Sequence, residues 1–336
     1  MEYRDLGKTG LKVSAMGFGG IPIQKVNQEE ANEIVRTAVE GGINFFDTAR
    51  GYTDSEEKLG HALKGQRDKV ILATKSMART KDKMAEDIEI SLKNLQTDYI
   101  DLYQLHNVKT EKDVETVFGP NGALEALIEA KEAGKIRFIG ITGHKAEVLV
   151  EVIDKYDFAT IQFPANFLED MGEKELFPKA RAKGMGIIVM KPLAGGAFQR
   201  KDLALRFLLG EDYTTIIPGM GSVEEVQNNA ALAKDFQRLN NEEIKILEKE
   251  AKELGSEFCR RCEYCKPCPQ DLDIPGFFLI HGYFKRYGLG DWAIERYNTF
   301  NPSADKCIEC GICETRCPYD LPIRKMLKEV HSNLGS

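Results

Sequence analysis

The chain has 336 residues, 42% of them hydrophobic and 29% charged, with a formal net charge of −7. That length accommodates one large domain and one small one, each able to bury a core. The acidic balance disfavours nucleic acid as a partner, no apolar run approaches the length of a membrane span, and Met1-Glu2-Tyr3-Arg4 does not begin an export signal.

Residues 1–12, with a turn at Gly7-Lys8-Thr9-Gly10, read as a hairpin suited to plugging the bottom of a barrel. Short apolar runs, predicted as strands buried on both faces, then follow at Val13–Phe18, Ile43–Asp47, Val70–Thr74, Ile100–Leu105, Ile136–Thr142, Ala159–Phe163, Gly186–Met190 and Thr215–Pro218. Between them lie amphipathic stretches predicted as helices: Gln28–Glu40, Ser55–Leu63, Lys81–Leu95, Ala123–Ala133, Lys145–Lys155, Glu173–Lys183, Asp202–Leu209 and Val223–Ala233. Strand–helix alternation implies parallel strands with crossover helices. Eight such units form a closed α/β barrel of the (β/α)8 TIM type, and a doubly wound open sheet is the rival arrangement. A ninth helix, Asn241–Leu254, leads to a predicted boundary at Gly255-Ser256, giving domains 1–255 and 256–336. Gly7-Lys8-Thr9 is not a P-loop, because Glu2 stands where the first glycine must be. Gly17-Phe18-Gly19-Gly20 is not a Rossmann fingerprint.

All eight cysteines lie in the last quarter. Cys259, Cys262, Cys265 and Cys268 are spaced three apart and followed by Pro269. Cys307, Cys310 and Cys313 are followed by Cys317-Pro318. A thiolate every third residue lets a winding backbone aim several sulfurs at one inorganic core, and the second run has the bacterial ferredoxin spacing for [4Fe–4S]. Eight ligands match two [4Fe–4S] clusters; a structural zinc pair and disulfides are the competing readings. Thiolate-type cysteines without an export signal lead us to expect a cytoplasmic protein. The intervening Phe277, Phe278, Tyr283, Phe284, Trp292 and Tyr297 suggest a small, mainly helical ferredoxin-like domain.

Active sites of such barrels form at the carboxyl ends of the strands. Asp47 and Tyr52 follow the second strand, Lys75 the third and His106 the fourth. A buried lysine needs a counterion, which Asp47 provides, and an ammonium beside a phenol favours phenolate. Tyr52 thereby becomes a proton donor to a carbonyl oxygen, with His106 holding that oxygen or sharing the proton. Taken singly, each residue also has a structural reading as ion pair, packed histidine or loop aromatic.

These residues stand in runs that resemble the aldo-keto reductase superfamily across about residues 2–255: Phe46-Asp47-Thr48-Ala49-Arg50-Gly51-Tyr52, LATKS (72–76), LYQLH (102–106), IQFPANFL (161–168), MKPLAGG (190–196) and IIPGMGSVEEVQNNA (216–230). The resemblance implies NAD(P)H-dependent reduction of an aldehyde or ketone, with Tyr52 as proton donor and Lys75, Asp47 and His106 in support. It also implies a nicotinamide cofactor, NADPH or NADH, contacted by Gly20, Asp47, Thr142, Gln162, Lys191, Leu193, Gly195, Pro218, Gly219, Gly221, Ser222, Glu225, Asn228 and Asn229. Gln162 would grip the carboxamide. Two places depart from the family pattern. Thr142-Gly143 stands where Ser-Asn is frequent. Gly219 and Glu225 stand where NADPH-preferring members carry cations, so a strong NADPH preference is not expected. Glu225 then reads as an acceptor for a ribose hydroxyl or as a solvated helix charge.

The cysteine-bearing tail resembles a subgroup with a C-terminal ferredoxin-like domain. By ferredoxin analogy the cysteine before proline serves the other cluster. Cys317 would join Cys259, Cys262 and Cys265, and Cys268 would join Cys307, Cys310 and Cys313. The partners implied are a small carbonyl substrate and a redox protein. The alternative is a non-catalytic nucleotide-binding redox sensor or docking module built on the same barrel.

Overall fold

The structure is a computed structural model that describes residues 1–254, 258–259, 265–317 and 320–335. The expected boundary at Gly255-Ser256, the predicted ligand Cys262 and the residue Pro318 lie outside the described residues. The chain forms two compact units, Met1–Pro192 with Asp202–Leu239, and Leu193–Lys201 with Asn240–Ser336.

The first unit opens on an antiparallel hairpin, β1 (Tyr3–Asp5) and β2 (Lys12–Ser14), joined through a 3-10 turn at Gly7–Thr9. Leu6 and Val13 are fully buried among Phe45, Ala73, Leu102 and Ile188, the barrel interior. Gly7 has φ +55, and a Cβ there would lie 2.4 Å from Gly186 N. Only glycine lets the hairpin meet the start of that strand, at the amino-terminal end of the barrel.

Eight parallel strands follow in spatial order equal to chain order: β3 (Phe18–Gly19), β4 (Phe45–Asp47), β5 (Ile71–Ser76), β6 (Ile100–Leu105), β7 (Ile136–Thr142), β8 (Thr160–Pro164), β9 (Gly186–Met190) and β10 (Thr215–Ile217). Parallel bridges Met16↔Ile216 and Gly19↔Gly219 bring the ends of the sheet together. The predicted first strand Val13–Phe18 is shorter and later than expected. Val13 and Ser14 belong to the hairpin, and Gly17 N donates to Ile216 O at 2.8 Å as the chain enters the barrel. A continuous apolar run conceals that handover, because both sections are buried.

The crossover helices are α1 (Gln28–Glu40), α2 (Ser55–Ala62), α3 (Lys81–Asn94), α4 (Glu111–Phe118), α5 (Ala123–Glu132), α6 (Ala146–Val152), α7 (Met171–Lys174), α8 (Leu176–Ala182), α9 (Lys201–Leu209) and α10 (Val223–Lys234). In α1, Asn27 and Glu30 form a capping box, and Ala31, Ile34, Val35 and Ala38 bury one face at helical spacing. The helix predicted over Glu173–Lys183 is two helices, broken at Glu175 (φ −146, ψ −44). Pro178 lacks the N–H of a helix interior but fits the first turn of α8. Helix α4 was not predicted; its signal is the capping box Thr110/Asp113.

The second unit comprises α11 (Asn241–Leu254), α12 (Ile274–Tyr287), α13 (Gly290–Tyr297), α14 (Ile312–Thr315) and α15 (Ile323–Leu334). It is mainly helical, as the aromatic spacing suggested. Phe277 packs on Tyr297 and Phe300 with ring centroids 5.7 and 4.8 Å apart. Helix α15 buries Ile323, Leu327, Val330 and Leu334 along one stripe. The Tyr297 hydroxyl receives the Ala304 amide at 3.0 Å and meets His331 Nδ1 at 2.8 Å, so this buried phenol is satisfied.

Candidate active site and cysteine-lined cavity

Asp47 closes β4, Lys75 lies near the end of β5, and His106 follows β6 directly. Lys75 is 1% exposed and Asp47 3% exposed. The Lys75 ammonium donates to Asp47 Oδ1 at 2.5 Å and to Thr48 O at 2.8 Å. Burial pushes Lys75 below the ordinary lysine range, while Asp47 opposes that shift. The same carboxylate accepts from Gln162 Nε2 at 3.3 Å (Oδ1) and from Gln104 Nε2 at 3.2 Å (Oδ2).

Tyr52 is half-buried on the loop between β4 and α2. Lys75 Nζ lies 5.1 Å from its ring centroid, and the His106 ring stands edge-on at 6.3 Å. Thus the structure brings together all four of the residues predicted at the strand ends. His106 Nδ1 is buried without a hydrogen-bond partner among the described residues. Its pKa lies well below the ordinary imidazole value, first through burial and then through the charges of Lys75 and Arg79, so the ring is neutral near pH 7.

Two supports escaped the sequence reading. Glu56, 1% exposed, receives Thr74 Oγ1 at 2.7 Å, Ser91 Oγ at 2.8 Å and Arg50 Nη1 at 2.9 Å. Arg50 N also donates to Lys75 O at 3.0 Å, so the loop carrying Tyr52 is tied to β5. Arg79 Nη2 donates to the His106 and Asn107 carbonyls at 3.0 and 2.8 Å, and its Nε pairs with Asp113 at 2.9 Å. Asp113 belongs to the unpredicted α4, whose capping pattern was the available signal.

Of the predicted cofactor residues, Gly20 N donates to Asp47 O at 2.8 Å. Thr142 and Gln162 are register partners at the ends of β7 and β8. Gln162 Oε1 is buried without a partner among the described residues, which fits an incoming amide N–H. A Cβ at Gly143 would lie 2.8 Å from Val108 O and 2.9 Å from Leu149 Cδ1, which accounts for the missing asparagine. Lys191 follows β9 with φ +56. Leu193 and Gly195 belong to the second unit.

Pro218 O accepts from Gly19 N, and a Cβ at Gly219 would approach Pro22 Cγ to 2.8 Å, so a cation there requires the Ile21–Lys25 turn to move. Ser222 caps α10, accepting from Glu225 N at 3.2 Å, and Glu225 Oε2 accepts from Gly221 N at 2.8 Å. Glu225 is therefore part of the helix start and not merely a solvated charge. Asn228 is exposed and Asn229 half-buried further along α10.

In the second unit, Cys268, Cys307, Cys310 and Cys313 line one small cavity, together with Leu272, Ile274 and Leu327. Cys268, Cys307, Cys310, Cys313 and Cys317 form no disulfides. Burial raises the Cys313 thiol to about 11, with Glu314, Cys307 and Cys310 adding to the shift. Among the described residues no three His, Cys, Asp or Glu side chains are gathered closely enough for a single metal ion. Four cysteines on one cavity are the donor chemistry of a thiophilic group held at several points. Cys259, Cys265 and Cys317 sit against the apolar core of this unit.

The aldo/keto reductase family model matches residues 15–203. The chain belongs to the aldo/keto reductase family of oxidoreductases. It is 30% identical to L-galactose dehydrogenase of Arabidopsis thaliana over 302 residues, 75% of this chain and 94% of that protein. It is 33% identical to the aldo-keto reductase YhdN of Bacillus subtilis over 233 residues, 64% of this chain and 66% of that one. Among solved structures, the holo form of aldo-keto reductase AKR11C1 from Bacillus halodurans superposes with a TM-score of 0.66 at 29% identity, covering 74% of this chain and 96% of that one. A Klebsiella pneumoniae aldo/keto reductase in complex with NADP and acetate gives 0.64 at 26% identity, covering 74% and 95%. A second family model, the 4Fe-4S dicluster domain, matches residues 258–322. Among the described residues no helix is long and apolar enough to cross a membrane.

Proposed function

We propose that this family member reduces a small aldehyde or ketone to the alcohol with NADPH or NADH, and that Tyr52 donates the proton. The observation that carries the proposal is the buried Lys75 ammonium, fixed by Asp47 and Thr48 O and lying over the Tyr52 ring beside a neutral His106. A cation so placed favours phenolate over phenol, so the Tyr52 O–H becomes a better acid when a carbonyl oxygen gains negative charge. Neutral His106 has one ring N–H with which to hold that oxygen. The nicotinamide, when bound, supplies hydride, and the NADP-bound Klebsiella relative supports this class of cofactor. Gln162 Oε1 and the Thr142 hydroxyl would hold its carboxamide side. Gly219, Gly221 and Ser222 would hold its phosphate end at the amino terminus of α10.

The tail would hold two [4Fe–4S] clusters in a domain over residues 256–336, beyond a barrel domain over 1–255. The dicluster match and the four-cysteine cavity support this, and Cys268 lies with the cysteines of the opposite run, as the crossover requires. The clusters would couple the reductase to a redox protein or stabilise the tail. Anaerobically purified full-length protein should oxidise NADPH or NADH with members of an aldehyde panel, and Tyr52→Phe should lower that rate by about a hundredfold or more while still binding nucleotide. A Tyr52→Phe protein with the parental rate refutes the assigned proton donor.

A further inference from the structure

We infer that Arg324 sets the reduction potential of the cluster held by Cys268, Cys307, Cys310 and Cys313, with Glu314 holding it in place. The inference rests on the cluster reading above. Arg324 sits in the first turn of α15, yet it lines the four-cysteine cavity. Gly311, inside the second cysteine run, has φ +75, and a Cβ there would lie 3.8 Å from Arg324 Cζ. The guanidinium therefore rests against the backbone that bends around the cavity.

Glu314 follows Cys313 directly and grips Arg324 at three points. Its Oε1 accepts the Arg324 backbone N–H at 2.8 Å, and its Oε2 accepts Nε at 2.8 Å and faces Nη2 at 2.7 Å. Glu314 does not line the cavity. Arg324 therefore presents its charge at the cavity wall, while the Glu314 carboxylate is felt at Cys313 from behind the lining, so the two charges act on the cavity with opposite sign. The other nearby pair, Glu309 with Lys328, is exposed on both sides and does not line the cavity.

One-electron reduction adds a negative charge to a group already made anionic by four thiolates. A cation at the cavity wall stabilises the reduced form more than the oxidised one and raises the potential. The Arg324 side chain is 44% exposed, so solvent screens its charge well below that of a buried group. The expected effect is about a tenfold change in the ratio of reduced to oxidised cluster at fixed potential, equivalent to about 59 mV for one electron.

The test is a dithionite titration of the anaerobic full-length protein, followed by visible bleaching and electron paramagnetic resonance, with iron counted first. Arg324→Gln should move one cluster potential negative by about that amount, and Glu314→Gln should move the same one positive. Arg324→Lys keeps the charge and should stay close to the parent. If Arg324→Gln fails to load iron, the positive shift of Glu314→Gln together with the parental value of Arg324→Lys decides. Shifts of the same sign in Arg324→Gln and Glu314→Gln, or no shift in iron-loaded variants, overturn the assignment. Absence of iron from the anaerobic parent instead removes the cluster reading itself.

Discussion

Replacing Asp47 by Asn removes the only carboxylate, among the described residues, bonded to a lysine that is 1% exposed. The geometry tolerates the change. The new Nδ2 would face Gln104 Nε2, but Gln104 can turn its amide and present Oε1, which has no partner among the described residues. What is lost is charge. Breaking a buried ion pair by removing one partner costs about 3–5 kcal/mol. The loss also has a ceiling, because Lys75 can shed its proton. Carrying a neutral lysine at pH 7, when its ordinary pKa is about 10.4, costs about 4.6 kcal/mol. The expected loss is therefore about 3–4.6 kcal/mol, or about 6–18 °C in Tm for a unit of this size.

The pH dependence carries the sign. Without Asp47, the pKa of folded Lys75 drops further below its unfolded value, because burial is then opposed only by the weaker influence of Glu56. Between the variant's folded pKa and the parent's, the unfolded variant binds one more proton than the folded one, so its stability rises with pH. The gap between parent and Asp47→Asn should thus narrow as pH rises from 7 toward 9.5. Thermal unfolding of both proteins across that range measures it. A gap that is absent, constant or widening with pH refutes the view that Asp47 works as the counterion of Lys75.

Glu56→Gln weakens a buried acceptor of Thr74, Ser91 and Arg50 and should cost about 1.5–3 kcal/mol in urea unfolding, the scale of hydrogen bonds to a charged group; a neutral result removes Glu56 as the anchor of the Tyr52 loop. Glu225→Arg should tighten NADPH by about 1–2 kcal/mol through a charge-assisted contact with its 2′-phosphate, leave NADH unchanged, and give up the acceptor of the Gly221 N–H. Fluorescence titration of both nucleotides checks this, and equal effects on the two place the phosphate elsewhere. Anaerobic protein should contain about eight irons per chain, four per cluster, and Cys268→Ala should lose the cluster served by the second run while Cys317→Ala loses the other. Zinc at stoichiometry without iron, in protein never exposed to air, rules out the cluster assignment.

The barrel was legible in the sequence because its strands are buried on both faces and its helices on one. Every strand of β4–β9 falls within or beside a predicted apolar run, and α1 and α11 have the predicted bounds. Two of the errors mark the limits of that pattern. Val13–Phe18 is apolar throughout, and burial alone does not say that the hairpin takes its first residues and the barrel its last. Helix α4 is short and buries only Val117, so its apolar periodicity is faint and only the Thr110/Asp113 cap marks it. Hydrophobic pattern reports which residues leave water; it is silent where an element leaves water hardly at all.

The site divides along the same line. Asp47, Lys75, Tyr52 and His106 were legible because barrel topology fixes where strand ends converge, so position along the chain becomes position in space. Likewise, three-residue spacing turns the cysteine runs into a local geometry. Glu56 and Arg79 carry no such code. Glu56 looks like one more acidic residue in a helical first turn, where charge is ordinary. Its role shows only when Thr74, Ser91 and Arg50, drawn from a strand, a helix and a loop, are seen to point at one carboxylate. Arg79 reads as a loop cation until its guanidinium is found spanning the His106 carbonyl and the cap of α4. The groups proposed to touch substrate and cofactor are encoded by fold position, and those that hold them rigid by convergence, so a structure adds most to the second kind.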